Sequence, residues 1–174
     1  MKLTWFGNRT FRIHAGGQIL VVEAEGAPEG IDRNELVSGA DRLVGFDNDL
    51  PVAAGAEWKP RPSVRLLDAG ETLRPVQLWS LGSGTLLLDA DEDMPLLLLA
   101  GPVPTLGRWV ERAVVMLAGP HLAARAEVLS GTVSPRLLAL AGTDTELDAA
   151  FAVWRDHAEG GGVMALEPGM AVEA

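Results

Sequence analysis

The chain contains no cysteine, no tyrosine and only three histidines among its 174 residues. Without cysteine it forms no disulfide bond, carries no thiolate nucleophile and binds neither zinc nor an iron–sulfur cluster through sulfur. Basic residues are scarce as well, since 14 Lys and Arg stand against 24 Asp and Glu, a formal net charge of −10. Nucleic acids and anionic membranes are recognised by clustered Lys and Arg. We therefore expect neither nucleic acid nor membrane as a partner.

Long hydrophobic runs are also missing. The longest, residues 95–103, is much shorter than the roughly 20 apolar residues of a transmembrane helix. Residues 1–7 lack the apolar stretch of a secretory signal, so a cytoplasmic location is the expectation. Hydrophobic residues nevertheless make up 48% of the chain, which excludes a largely disordered protein. We predict a single domain over residues 1–174 with a substantial core.

Hydropathy patterning predicts a mixed α/β fold of about eleven strands and three or four helices. The predicted strands are residues 3–6, 10–14, 18–24, 42–46, 64–68, 73–81, 84–89, 96–100, 113–118, 137–140 and 163–166. The predicted helices are a turn at 34–39, a short helix at 104–111, a helix at 121–129 and a longer one after the capping box Thr143-x-x-Glu146. Residues 51–62 are rich in Pro, Ala and Gly, which predicts a mobile loop.

Four segments of the sequence each contain a short glycine motif. Residues 1–22 contain Gly7-Asn8 after the first strand and a Gly-Gly pair before the third, and residues 96–101 are an apolar strand that ends in Ala-Gly. Residues 136–143 end in Ala-Gly-Thr, and residues 166–170 are Leu-Glu-Pro-Gly-Met. In this order the segments resemble the metallo-β-lactamase-fold hydrolases, most closely the branch of lactonase-like and phosphodiesterase-like metal-dependent hydrolases. The resemblance implies a four-layer αββα sandwich, compact and shortened in this chain.

The chemistry of that family depends on two divalent metals, held by a His-x-His-x-Asp-His loop, further histidines and an aspartate. The resemblance places the family's ligand positions at Asn8, Phe46, Asn48, Leu50, Pro51, Pro102 and Leu140, and its strand-ending acid at Glu23. None of these residues is a histidine, and Pro102 and Leu140 are expected to form an apolar floor where the metals would lie. We therefore expect no metal and no other cofactor.

Residues beside this degenerate motif supply the remaining candidates. His121 follows Gly119-Pro120, a turn that borders the cleft of related hydrolases, and it is either a general base or a helix-start residue without chemistry. The run Asp47-Asn48-Asp49, with Glu23, is either a surface turn or a site for one hard cation such as Mg²⁺ or Ca²⁺. These side chains, with two loop tryptophans, make up the predicted cleft.

Three functional hypotheses follow. The first is a non-catalytic pseudoenzyme whose former cleft serves packing, binding of a small molecule or self-association. The second is a divergent hydrolase that uses His121 with Asp47 or Asp49 as an unrecognised acid/base set. The third is an interaction protein, a homo-oligomer, that uses apolar surface near Trp109 and the strand at 96–100. Trp58 and Trp109 are expected either to line a cleft or partner surface or to pack internally.

Overall fold

Strands dominate the structure, as the hydropathy pattern predicts. The computed structural model describes residues 1–47, 49–62, 74–91, 94–157 and 161–173. In chain order its elements are β1 (Lys2–Gly7), β2 (Thr10–Ala15), β3 (Gln18–Val22), α1 (Arg33–Val37), β4 (Arg42–Val44), β5 (Gln77–Trp79), β6 (Thr85–Asp89), β7 (Leu96–Leu99), β8 (Val114–Ala118), α2 (Leu122–Ser130), β9 (Leu137–Ala141), α3 (Asp144–His157), β10 (Gly162–Ala165) and β11 (Ala171–Glu173). Short 3₁₀ turns cover Ala24–Gly26 and Arg108–Arg112.

The strands form two mixed sheets. The first has the order β11-β1-β2-β3-β4 and is antiparallel except where β3 pairs with β4. The second has the order β10-β9-β8-β7-β6-β5, parallel from β7 to β10 and antiparallel from β5 to β7. Helices α2 and α3 are crossovers between parallel strands, which a hairpin cannot join. Within the described residues no helix is long and apolar enough to cross a membrane.

Two hydrophobic cores lie on the two faces of the second sheet. Because successive strand residues point to opposite faces, Leu96 and Leu98 of β7 join the core between the sheets. Leu97 and Leu99 join the core beneath α2 and α3, which Trp154 completes at 1% exposure. The helical spacing of Trp154 predicts this burial, and the prediction is confirmed. Strands buried on both faces explain the uninterrupted apolar runs of the sequence.

Two strands of the first sheet end earlier than predicted. β3 stops at Val22 rather than at residue 24, because Glu23 has a positive φ of 53° that interrupts the extended backbone. β4 ends at Val44 and is the edge strand of its sheet, so Leu43 is 58% exposed where a buried strand was predicted. The predicted strand at 64–68 lies outside the described residues.

The Pro-rich segment at 51–62 is tied to the second sheet, although its composition predicts a mobile loop. The Ser80 N–H donates to the Pro51 carbonyl at 2.9 Å, and the Ala53 N–H donates to the Ser80 carbonyl at 2.9 Å. Arg61 Nε donates to the buried carboxylate of Asp89 at 2.9 Å. Proline removes N–H donors, but this segment is still held by bonds to Ser80, which follows β5, and to Asp89 of β6.

The strand expected to serve self-association is inaccessible. β7 lies between β6 and β8, and each of its four leucines is at most 1% exposed. The expectation of an oligomer surface on residues 96–100 is therefore wrong for this strand, because both of its faces belong to the hydrophobic cores.

Candidate functional site

Three turns near strand ends adopt an unusual backbone conformation. In the described part of the chain, the residues other than glycine with a positive φ are Asn8 (49°), Glu23 (53°) and His121 (62°). Asn8 follows β1, Glu23 follows β3, and His121 lies between β8 and α2. A left-handed conformation costs an ordinary residue roughly 1–2 kcal/mol, and such strain concentrates at functional sites. The candidate site lies around these turns.

The first part of the site is the Glu23 cluster, formed by Arg9, Glu23 and Phe46. Glu23 Oε1 accepts a hydrogen bond from the Phe46 backbone N–H at 2.8 Å, and Glu23 Oε2 lies 3.7 Å from an Arg9 guanidinium nitrogen. The Arg9 guanidinium also lies over the Phe46 ring, 5.6 Å from its centroid. Phe46 itself is 2% exposed. The positive charge of Arg9 is therefore matched by both a carboxylate and a ring face.

A shallow cleft beside this cluster contains Asp47. The Glu23 cleft is lined by Glu23, Ala24, Glu25, Leu43, Val44, Gly45 and Asp47. Its acidic groups are Glu23, which is already bound to Arg9, and the exposed residues Glu25 and Asp47. Glu25 pairs with Arg33 at 2.5 Å. The cleft thus presents carboxylates that the chain itself largely compensates.

The second part of the site is the Asn8 cleft, a depression of about 340 Å³ between the first sheet and the starts of α2 and α3. It is lined by Trp5, Gly7, Asn8, Pro28, Gly119, Pro120, Ala141, Gly142, Thr143 and Glu146. Its lining is mainly glycine, proline and apolar side chains, with one ionisable group, Glu146. Such a mixture of apolar walls and few polar groups is typical of a small-molecule site.

Glu146 links the two helices that begin at this cleft. Its Oε1 accepts the His121 N–H at 2.9 Å, and its Oε2 lies 3.5 Å from Thr143 Oγ1. The Glu146 N–H in turn faces Thr143 Oγ1 at 3.5 Å, which is one half of the predicted capping box. The other half is replaced, because the Glu146 carboxylate contacts the Thr143 hydroxyl and the His121 N–H instead of the Thr143 N–H. A carboxylate in the first turn of α3 therefore also satisfies the backbone at the start of α2.

Arg125 is a half-buried cation behind the same strand ends, and sequence reasoning missed it. Its guanidinium donates to the carbonyls of Leu99, Ala118 and Pro120, and its Nε is buried without a partner. Burial lowers the pKa of Arg125, while the charge of Glu146 opposes that shift. A signal was present, because an arginine three residues after Leu122 lies close to the apolar stripe of α2.

The predicted ligand positions are scattered over the fold. Phe46 is in the core between the sheets, Leu50 is half-buried against that core, Pro51 and Pro102 are exposed, and Asn48 lies outside the described residues. Asp47 lines the Glu23 cleft, and Asp49 is exposed. The expected apolar floor is wrong: Leu140 points into the core beneath the helices, and its neighbour Ala141 lines the cleft instead. A one-residue change in strand position reverses the face.

The two loop tryptophans take the packing role. Trp109 is 8% exposed, and its Nε1 donates to the Gly55 carbonyl at 2.6 Å. Trp58 packs edge-to-face on Trp109 and Trp79, with ring centroids 4.7 and 5.6 Å apart. Neither Trp58 nor Trp109 lines the Asn8 cleft or the Glu23 cleft.

The residues present do not fit the two-metal centre that the resemblance implies. Glu23 has both oxygens engaged, and Phe46 offers no lone pair. The Asn8 amide nitrogen donates to the Gly26 carbonyl at 3.2 Å. In the described ranges, which omit Asn48, no group of three or more His, Asp or Glu side chains is placed to hold a metal ion.

No protein-family model matches the chain, and no curated protein sequence is significantly similar to it.

Proposed function

We propose that the chain is a non-catalytic, degenerate member of the metallo-β-lactamase fold, a pseudoenzyme that binds a small molecule in the Asn8 cleft. The layering supports a four-layer assignment. Arg12, on the outer face of β2, donates to the carbonyls of Leu36 and Ser38 at the end of α1. The two sheets share one core, and α2 and α3 cover the other face of the second sheet.

The observation that carries this proposal is the Glu23 cluster. The resemblance puts a metal-binding histidine at Phe46 and an acid near Glu23, where this chain has a buried ring and a carboxylate that binds Arg9. The guanidinium supplies, from the chain itself, the positive charge that a cation would bring to Glu23. A cation at Glu23 would have to displace both this 3.7 Å ion pair and the hydrogen bond from the Phe46 N–H.

Metal content tests the proposal. We expect purified protein to contain far less than one equivalent of zinc, manganese or iron, measured by mass spectrometry of the elements. Adding these ions should leave the melting temperature unchanged, because only a ligand that binds the folded state raises it. One tightly bound equivalent would overturn the proposal. Loss of that equivalent in Glu23→Gln, but not in Glu127→Gln on the exposed face of α2, would place it at the Glu23 cluster.

A divergent hydrolase is the second candidate, and the left-handed strain at His121 favours it. Its weakness is geometric, since Asp47 lines the Glu23 cleft whereas Gly119 and Pro120, which precede His121, line the Asn8 cleft. Hydrolysis of a nitrophenyl ester or phosphodiester would decide the matter. Activity that disappears in His121→Ala and persists in His14→Ala would establish the hydrolase; no activity in the wild type would exclude it for these substrates.

A further inference from the structure

We infer that the Asn8 cleft selects a small primary ammonium compound with an apolar body, with Glu146 as its anchor. This inference rests on the proposed binding function and specifies the class of ligand. It follows from which hydrogen-bonding groups at the cleft are already used by the chain and which are left over.

The carboxylate of Glu146 already lies at the helix starts beside the cleft. At the start of α2, the His121 N–H is taken by Glu146 Oε1 at 2.9 Å. At the start of α3, the Leu147 N–H donates to the Thr143 carbonyl at 2.9 Å, and the Glu146 N–H faces Thr143 Oγ1. Helix N-termini ordinarily attract anions through free N–H groups. Here the Glu146 carboxylate takes that position at the start of α2, so its charge opposes a second anion.

The side-chain donors around the cleft are also engaged. Trp5 Nε1 donates to the Asn8 carbonyl at 3.1 Å, and Asn8 Nδ2 donates to the Gly26 carbonyl at 3.2 Å. Behind the cleft, the terminal nitrogens of Arg125 donate to main-chain carbonyls, including Ala118 at 2.8 Å, and its Nε is left without a partner. An anionic ligand would therefore meet the charge of the Glu146 carboxylate, and the side-chain donors in the lining are already engaged.

Two acceptors at the cleft, by contrast, have unused capacity. Glu146 Oε2 has only the long 3.5 Å contact with Thr143 Oγ1, and Asn8 Oδ1 accepts no hydrogen bond from the described residues. An ammonium group supplies three donors and a positive charge, and a charge-assisted bond to a carboxylate is about twice as strong as a neutral one. Trp5, Pro28 and Ala141 line the cleft as apolar surface for the rest of the molecule. The net charge of −10 favours the approach of a cation.

Three probes with one apolar body test the inference: benzylammonium, benzyl alcohol and benzoate. The five tryptophans give separate indole N–H signals in a nitrogen-correlated NMR spectrum, and Trp5→Phe assigns the signal of Trp5. We expect benzylammonium to shift the Trp5 signal saturably, with the alcohol and benzoate binding at least about tenfold more weakly. Equal or tighter binding of benzoate, or no saturable shift with any probe, would overturn the inference.

A pair of variants locates the anchor. Glu146→Gln keeps an oxygen that accepts the His121 N–H but removes the charge, and we expect it to weaken benzylammonium binding about tenfold. Glu127→Gln removes one charge from the exposed face of α2 and should leave affinity unchanged. Equal losses in both variants would reduce the effect to net charge and contradict the inference. Metal content, measured on the same samples, separates this outcome from failure of the pseudoenzyme proposal. The comparison of the three probes on wild-type protein does not depend on either variant folding.

Discussion

The Glu23 cluster and the Asn8 cleft have the same backbone feature but differ in how their carboxylates are bound. Each contains a left-handed residue directly after a strand of the first sheet. In the Glu23 cluster, the carboxylate is bound by a backbone N–H and a guanidinium. In the Asn8 cleft, Glu146 Oε2 has only a 3.5 Å contact with Thr143 Oγ1 and stays available. Strain alone therefore does not identify a binding site, and how fully the carboxylate is engaged distinguishes the two.

The largest effect should come from the ring at the base of the Glu23 cluster. Phe46 is 2% exposed and contacts both the core between the sheets and Arg9. Phe46→Ala should lower the free energy of unfolding by about 3–5 kcal/mol, the usual cost of removing a buried ring. Leu43→Ala, at a position 58% exposed, should change it by less than about 0.5 kcal/mol. Urea denaturation followed by tryptophan fluorescence measures both. A loss below about 1 kcal/mol for Phe46→Ala would contradict a structural role.

Replacing Glu23 should lower the free energy of unfolding more than replacing Glu146, because Glu23 has the more fully engaged carboxylate. Glu23→Ala leaves the Phe46 N–H and Arg9 without their partner, so we expect a loss of about 1–3 kcal/mol. Glu146→Ala removes one hydrogen bond at an exposed helix start and should cost about 0.5–1 kcal/mol. Glu23→Gln, which retains an acceptor, should fall between wild type and Glu23→Ala. Equilibrium unfolding in urea ranks the variants, and a larger loss for Glu146→Ala would reverse the comparison.

Two sequence patterns predict elements of the fold correctly: continuous apolar runs and helical spacing of apolar residues. Continuous apolar runs predict β6, β7 and β8, and the spacing of Ala150 and Trp154 predicts α3. The edge position of β4 is not predictable this way, because Leu43 is apolar although β4 has a neighbouring strand, β3, on one side only. Pairing order decides burial at a sheet edge, and single-sequence patterns do not contain it.

The site is less predictable for a different reason. Glycine in a turn indicates that a positive φ is available, but Glu23 and His121 adopt a positive φ without being glycine. The sequence pattern therefore extends β3 past Val22, where Glu23 in fact ends it. The direction of a side chain is equally hard to predict from the sequence. Leu140 points into the core beneath the helices, whereas the next residue, Ala141, lines the cleft. Arg125 shows the same limit, because its carbonyl partners come from β7, β8 and the following turn. Its spacing from Leu122 indicates that Arg125 lies beside the apolar stripe of α2, but no local pattern indicates which carbonyls it contacts.

The smallest change in stability should come from placing glycine at the left-handed positions His121 and Glu23. We expect glycine to stabilise the protein at His121 and to destabilise it at Glu23. His121 has a φ of 62° and an exposed side chain that makes no capping bond, so His121→Gly removes strain and loses little. After the entropy that glycine adds to the unfolded chain, we expect a gain of about 0.5 kcal/mol. Glu23→Gly relieves similar strain but loses the contacts with Arg9 and Phe46, so it should destabilise. His121→Ala, which keeps the strain, is the control and should resemble wild type. Thermal unfolding monitored by circular dichroism measures all three, and a clear loss in His121→Gly would mean that the imidazole stabilises the cleft.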